Sequence, residues 1–524
     1  MDTATSSAPA EQTKVPGYSW YVLSVLVLVY VLNFVDRQIL SILSEDIKRD
    51  LGLTDADLGF LYGTAFGVFY SIFGIPLGRL ADNWHRVKLL VAGLSLWSLM
   101  TALSGTARSG AALAAARIGV GVGEATAGPC AYSLISDYFP RRLRATALAI
   151  YSGGLYLGVG MSLFVGGSIA QAWNIAYDGS SAPFGLRGWQ VAFFAVGAPG
   201  LLLALWVATL KEPLRGQSDG YAVPPVQSVS PFADFARELL TIIPPLTVIG
   251  AAQRGPRALL ANLSFAAATA LIAYWLIRLT GDIPQWVAVG IGVYAVFSWA
   301  SALRLRDPPS FALIFGSGAF LLVVIGNGII AYASYSTTFW TAPYAMRTFG
   351  AGPAEAGLFV GGAGALGGFI GVVVGGRLAD AWKMRNPSGR VIVMLIAASA
   401  PIPLIILSYT TTSLPVFYAA YFPIQALCSC AVGAAGATVQ DLVLPRMRGT
   451  ATAVFLLAST LIGLALGPYV VGRVSLATDS LATGMLSLLI AAPFAIGSFV
   501  LLYRMLPRAE TSLLERARAA GEPV

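Results

Sequence analysis

Fourteen apolar stretches, separated by short polar loops, constrain this chain more than any other feature. They lie near 18–43, 57–78, 89–107, 111–135, 145–171, 189–210, 258–280, 284–303, 310–345, 355–376, 391–409, 414–438, 450–472 and 481–503. About twenty apolar residues in a helix rising 1.5 Å each span the roughly 30 Å hydrocarbon core of a bilayer. Inside lipid every backbone N–H and C=O must be satisfied within the protein, which a helix does by itself. The expected fold is therefore all-α and integral to a membrane. Only 11% of the residues are charged, less than half the roughly 25% of soluble domains. The N-terminus, MDTATSSAPAEQTKVPG, is polar, and the first apolar run is too long for a signal sequence. It is expected to stay in the membrane.

An even number of spans puts both termini on one side. Most of the 33 lysines and arginines fall in loops on that side, so the positive-inside rule makes both termini cytoplasmic. With an Ala- and Gly-rich composition, the expected location is a bacterial inner membrane. Cys130, Cys428 and Cys430 all fall within spans and the sole histidine is His85, which leaves no disulfide framework and no metal site. The sequon Asn262-Leu-Ser264 lies inside a span. No GxxxxGK[ST] motif is present, so no ATP site is expected; no cofactor and no nucleic-acid partner is expected either.

Two loop motifs occur twice. GRLADNWHRVK (Gly78 to Lys88) returns as GRLADAWKMR (Gly376 to Arg385), and SDYFPRRLRATALAI (Ser136 to Ile150) returns as QDLVLPRMRGTATAV (Gln440 to Val454). Asp82 maps to Asp380 and Asp137 to Asp441 at nearly one offset, so the chain divides into two halves of six spans. Parallel half-repeats with a substrate site between them are a transporter architecture. The expected segments are a tail at 1–17, a six-helix bundle at 18–210, a polar proline-rich linker at 211–257, an inserted hairpin at 258–303, a second six-helix bundle at 304–504 and a tail at 505–524. The hairpin reads as an accessory with packing or lipid-facing duty.

Gly78-Arg79-Leu80-Ala81-Asp82, followed by Arg86 and Lys88, resembles the loop signature of the major facilitator superfamily. A carboxylate at a span end can meet a helix N-terminus or an arginine in one conformation and lose it in another. Gly78, Asp82, Arg86, Asp137, Arg144, Arg377, Asp380, Asp441 and Arg448 are the expected gating residues. Arg144 and Arg448, seven residues after Asp137 and Asp441, are the expected counter-charges. Glycine-rich runs (GVGVGEA, GGLYLGVG, GGAGALGGFIGVVVGG) let membrane helices approach closely and slide. Gly463, Gly467, Pro468 and Gly472 resemble the Gly-Pro motif of exchangers, but the matching first-half stretch, Gly154 to Gly167, has no proline.

Four charges sit where lipid disfavours them: Asp36 and Arg37 in the first span, Arg117 and Glu124 in the fourth. Each costs at least about 2.5–3.5 kcal/mol near the bilayer centre, so they are expected to face a cavity, a partner or a substrate. Helical rise puts Asp36 about 10 Å, and Arg117 about 9 Å, from the outer face. An Asp36–Arg117 pair is expected, with Glu124 two turns deeper and out of Arg117's reach. Asp36 and then Glu124 are the expected proton carriers; Arg37 and Arg117 would bind an anionic head group. The facing second-half spans carry no interior charge and offer Tyr332, Tyr335, Trp340, Tyr418, Tyr421 and Phe422. A cavity charged on one wall and aromatic on the other suits an amphiphile, although helix packing explains the aromatics equally well.

LNFVDRQIL (Leu32 to Leu40), GVGEA (Gly121 to Ala125), LISDYFPRRLRA (Leu134 to Ala145) and WTAPYAMR (Trp340 to Arg347) together resemble the Spinster branch of the major facilitator superfamily. The resemblance implies proton-linked transport of lysophospholipids or sphingosine-1-phosphate, with substrate and proton handling on Asp36, Arg37, Arg117 and Glu124. The hairpin departs from the family's twelve-span plan. The expected protein is a monomeric secondary transporter among membrane lipids, with an amphiphilic small molecule and protons as partners. Transport of small organic anions or drugs, lipid scrambling and membrane-bound lipid enzymology stay open as alternatives.

Overall fold

The computed structural model describes residues 15–177, 182–219 and 230–523; the side chains of Arg141 and Ala145 are outside that description, as are most of the expected N-terminal tail and residues 220–229 of the expected linker. The first half comprises α1 (Gly17–Leu51), α2 (Asp55–Asn83), α3 (Arg86–Ser104), α4 (Gly110–Glu124), α5 (Ala127–Tyr138), α6 (Arg141–Ala176) and α7 (Gly188–Val207). Then come α8 (Pro231–Ile242), α9 (Leu246–Gln253), the hairpin α10 (Pro256–Thr280) and α11 (Ile283–Arg306), and the short α12 (Pro308–Ile314). The second half holds α13 (Gly318–Phe349), α14 (Pro353–Lys383), α15 (Gly389–Thr410), α16 (Leu414–Asp441), α17 (Pro445–Thr478) and α18 (Leu481–Thr511), ending in α19 (Leu513–Ala519). Two six-helix bundles with an inserted two-helix hairpin are thus the architecture.

Among the described residues, thirteen helices are long and apolar enough to cross a membrane. The expected span over 111–135 is instead two helices, α4 and α5, interrupted after Glu124, and neither is long enough to count among the thirteen. At the break Thr126 Oγ1 donates to the Gly123 carbonyl at 2.9 Å. Helix ends follow local chemistry. Gly52 stops α1 in the left-handed conformation (φ 64°). Thr54 and Asp57 then form a reciprocal capping box at the start of α2, which satisfies two orphan donors. The ninth expected span, 310–345, begins instead at Gly318, because Ser317 caps α13 and α12 is a separate turn before it.

The expected linker is more ordered than its polar composition suggests. PFADFARELLTI forms α8, with Phe232, Phe235, Leu239 and Ile242 at helical spacing, and α9 turns from it by 96°. Residues 211–216 are stitched to the first repeated loop: Glu212 accepts from Arg86 Nε at 2.7 Å, and Arg215 donates to the Ala81 carbonyl at 2.7 Å.

The halves meet along two seams, α6 against α14 and α2 against α17. Both are backbone-close. A Cβ on Gly357 would lie 2.3 Å from the Leu163 carbonyl oxygen, and one on Gly63 2.2 Å from that of Leu464. At the second seam α2 and α17 each contain a π turn, Phe60–Thr64 and Ser459–Leu464, a bulge that frees carbonyls for outside partners.

Candidate functional site: a buried ion pair in the first bundle and a charged seal between bundles

Consecutive helix residues point about 100° apart, and Asp36 and Arg37 accordingly face different neighbours. Arg37 donates to Glu124 Oε2 from Nη2 at 2.6 Å and from Nε at 3.2 Å. Its guanidinium also lies 4.7, 4.5 and 5.1 Å from the ring centres of Phe34, Phe66 and Tyr70. Glu124 is 1% exposed and Arg37 6%, so this is a desolvated pair in an aromatic cage. Glycines allow it: a Cβ on Gly121 would lie 2.5 Å from the Phe66 carbonyl, so α4 sits directly against α2 and presents Glu124 to α1.

The expected Asp36–Arg117 pairing is corrected by this geometry. Arg117, fully buried, donates to the backbone carbonyls of Asp36 (3.2 Å) and Arg37 (3.5 Å). It therefore fastens α4 to α1 rather than pairing with a carboxylate. Depth alone had put Asp36 and Arg117 level. It ignored the reach of the long Arg37 side chain down to Glu124. The Asp36 carboxyl is 1% exposed, and its Oδ1 has no hydrogen-bond partner among the described residues. Its side-chain neighbours are Trp97 and Thr101 of α3. Glu124 Oε1 is likewise without a partner.

The expected aromatic wall divides. Tyr335 of α13 and Tyr332, one turn before it, are partly buried. Trp340 is fully buried and donates from Nε1 to the Pro468 carbonyl at 2.9 Å. It packs α13 on α17. Tyr418 stacks on Phe359 at 4.9 Å, and Tyr421 is 1% exposed. A polar cluster that the sequence reading missed lies here: Gln425 Nε2 donates to Thr338 Oγ1 at 2.8 Å and to the Tyr421 hydroxyl at 2.9 Å. The second half thus holds neutral hydrogen bonds where the first holds charges. Among the described residues no three His, Cys, Asp or Glu side chains converge as a metal would need.

At the end that carries the repeated loops, the expected residues cluster but not with the expected counter-charges. Buried Arg86 pairs with Asp137 and with Glu212. Arg390, which the motif comparison passed over, pairs with Asp380 at 2.9 Å and with Asp441. Arg144 instead donates to the Ser136 carbonyl at 2.8 Å, while Arg448 and Arg377 are exposed. Asp82 is exposed, with Arg215, Arg79 and Arg86 around it. Gly78 has ordinary clearance, its nearest neighbour being Pro129 at 3.8 Å. The arginines that do the pairing start the next helix, directly across the loop from each aspartate. Arg86 follows Asp82 by four residues and Arg390 follows Asp380 by ten, and this unequal spacing hid the equivalence.

The opposite end carries a network absent from the sequence reading. Asp55 accepts from Lys48 at 2.6 Å, from Arg347 Nη1 and Nη2 at 2.7 Å each, and from Ser475 Oγ at 2.7 Å. Arg347 Nε also donates to Glu45 at 2.8 Å. Arg347 and Ser475 belong to the second half, Glu45, Lys48 and Asp55 to the first. A cavity of about 800 Å³ opens beside them. Two hydrogen bonds lie deeper along the same contact: Ser41 Oγ to the Phe339 carbonyl at 2.5 Å and Thr64 Oγ1 to the Ala465 carbonyl at 2.6 Å. Among the described residues, ion pairs at the repeated-loop end do not join the first bundle to the second, whereas at the opposite end Arg347 joins them. The two halves are thus tied together at that opposite end.

The sequence model of the Major Facilitator Superfamily matches residues 26–468. An MFS-type efflux pump of Mycolicibacterium smegmatis is 29% identical over 509 residues, 96% of each chain. Protein spinster homolog 1 of Xenopus laevis is 24% identical over 479 residues, 88% of this chain and 74% of the relative. Among solved structures, a bacterial homologue of the human lysosomal transporter Spinster, inward-facing and occupied, superposes with a TM-score of 0.65 at 25% identity, covering 96% of this chain and 98% of that one. The chain belongs to the major facilitator superfamily, with Spinster proteins among its relatives, and is a multi-pass membrane transporter rather than an enzyme.

Proposed function

We propose that the protein is a proton-coupled secondary transporter of an amphiphilic, anionic or zwitterionic, lysolipid-like solute, working by alternating access. The observation that carries this reading is the caged Arg37–Glu124 pair, set in a first half that faces an uncharged second half across the central seam. A phosphate or carboxylate head group would take Glu124's place on Arg37, where a planar guanidinium recognises either in a two-pronged way. The acyl or aromatic body would lie along Tyr332, Tyr335 and the neighbouring second-half helices.

Exchange of partners supplies the coupling. Removing one member of a buried ion pair leaves the other uncompensated, at a cost of about 3–5 kcal/mol. When the substrate anion takes Arg37, Glu124 avoids that cost by accepting a proton. Asp36, one residue along α1 with an unpartnered oxygen, is the second proton carrier. Arg117 holds the α1 backbone under both. The Asp55–Arg347 seal is the gate between the halves, broken when that end opens, while the Arg86 and Arg390 clusters each brace the loops of one half at the other end. On this reading both termini are cytoplasmic in an inner membrane, and the Asp55–Arg347 seal lies at the outer face.

The test is a proteoliposome flux panel of lysophospholipids, sphingosine-1-phosphate and small organic anions, with and without a pH gradient. Lysolipid flux that rises with the gradient, and loses that dependence in Asp36→Asn and Glu124→Gln, is expected. Gradient-independent lipid movement would overturn coupling in favour of scrambling. The name of the full-length efflux-pump relative favours a second reading, export of drug-like amphiphiles, which flux of such compounds without lysolipid flux would support.

A further inference from the structure

The hairpin is not evenly embedded. The apolar core of α10 is almost entirely uncovered, with Leu260, Leu271, Ile272 and Trp275 each more than 60% exposed. Its partner α11 lies in the groove between the halves. A Cβ on Gly292 of α11 would meet Leu461 of the second half at 2.9 Å and Val68 of the first at 3.3 Å.

Polar groups on α11 sort by which half they hold. Asp282, just before it, accepts from the Tyr469 hydroxyl at 2.7 Å and lies 3.5 Å from Arg473 Nε. Trp286 meets the Tyr469 ring edge-on at 5.5 Å. Asp307, just after it, pairs with Arg446 at 2.8 Å. Both ends of α11 therefore reach the second half, while its last residue, Arg306, pairs with Glu238 of α8 at 3.1 Å and its body packs on α2 of the first half. Gln285, 1% exposed, does something else. The Thr64 hydroxyl lies 2.7 Å from Gln285 Oε1 and 2.6 Å from the Ala465 carbonyl, with one proton to share between them; Gln285 Nε2 donates to that same carbonyl at 3.3 Å. A buried amide thus spans both π turns at the seam, on the side of the Asp55–Arg347 seal.

We propose that the inserted hairpin is a conformational clasp: α11 bridges the two halves, and the contacts of its Gln285 with Thr64 and Ala465 stabilise the state closed at the Asp55–Arg347 end. Opening that end carries Thr64 away from Ala465 and leaves the buried Gln285 amide short of one of its two partners in an apolar groove, so the hairpin biases the equilibrium toward the closed state. A pair of lipid-facing spans that only filled space would have no reason to bury Gln285 at that point.

The experiment uses the full chain in nanodiscs, with the three native cysteines replaced by alanine. Spin labels go on Arg108→Cys and Thr412→Cys, exposed loop sites at the sealed end of the first and second halves. Gln285→Leu leaves Thr64 and Ala465 bonded to each other, so it cuts the hairpin's hold without orphaning a seam group. The long-distance population, divided by the short, is expected to rise about three- to tenfold in that variant, the worth of one or two buried hydrogen bonds. Leu271→Ala, on the exposed face of α10, is expected to leave the ratio alone. Asp282→Ala, which contacts no first-half residue, is expected to shift it in the same direction and serves if Gln285→Leu does not fold. An unchanged ratio in a monodisperse variant overturns the clasp, and so does an equal shift from Leu271→Ala. The readout needs no substrate, so failure of the transport reading would leave it standing.

Discussion

The two halves share a frame and differ in what they enclose. Each has a loop arginine held between two carboxylates, Arg86 by Asp137 and Glu212, Arg390 by Asp380 and Asp441. The first half then encloses two guanidiniums and two carboxyl groups, while the second encloses Gln425 with Thr338 and Tyr421. On the proposed reading, the repeat preserves what moves the bundles and the asymmetry marks where the cargo's charge is handled. Charge in one wall only gives an amphiphile a single orientation in the site.

The largest effect should come from breaking the first half's pair. Glu124→Ala leaves Arg37 buried and unpaired and is expected to lower stability by about 3–5 kcal/mol, read by thermal unfolding in detergent. The double variant Arg37→Met with Glu124→Leu separates structure from function. A buried pair replaced by apolar residues is often neutral in stability or better, so near-parental unfolding with abolished flux is expected. Full flux in that variant would show the pair to be structural.

Arg37→Lys is the next step down. It keeps the charge but loses the planar fork and the stacking on Phe34, Phe66 and Tyr70. Those contacts are worth about 0.5–2 kcal/mol where desolvated, so a loss of roughly tenfold in apparent substrate affinity is expected. In the second half, Gln425→Leu should cost about 1–2 kcal/mol, the price of two neutral hydrogen bonds, and change neither the pH dependence nor the gradient dependence of flux. A pH shift as large as that of Glu124→Gln would erase the contrast between the halves.

The smallest effect lies at the surface. Arg446 and Ser310 hydrogen bonds hold the Asp307 carboxyl down at about 2, below its ordinary 3.8. A lowered folded-state value gives stability that is complete above about pH 4 and lost as pH falls toward 2. The Arg446–Asp307 pair is partly exposed at the surface, where solvent screens it, so the contribution is small. Asp307→Asn should remove only that slope in unfolding measured across the window.

Legibility followed the range of the interaction. The helices were readable because lipid imposes a backbone rule residue by residue, and all fourteen expected crossings are helical. The buried charges were readable as a site because nothing local justifies them. Their pairing was not, since helix depth says nothing of side-chain reach or facing. Arg390 was hidden by an unequal loop, and nothing local marks Glu45, Lys48 and Asp55 as a network, because Arg347 comes to them from the other half. The hairpin read as an accessory with packing or lipid-facing duty; the apolar face of α10 is exposed, and α11 packs in the groove between the halves. Gln285 was the residue out of place, and its partners lie on two distant π turns.

By itself the sequence determined an all-α membrane protein of two repeated halves, its loop motifs, and the confinement of interior charge to one half. These follow from periodicity, composition and repetition, which are properties along the chain. Only the tertiary structure decided that Arg37 takes Glu124, that Arg117 serves the α1 backbone, that one end is sealed across the halves, and that α11 occupies the seam. Each of those depends on which helix faces which, and facing is set by the packing of the whole bundle rather than by any one span.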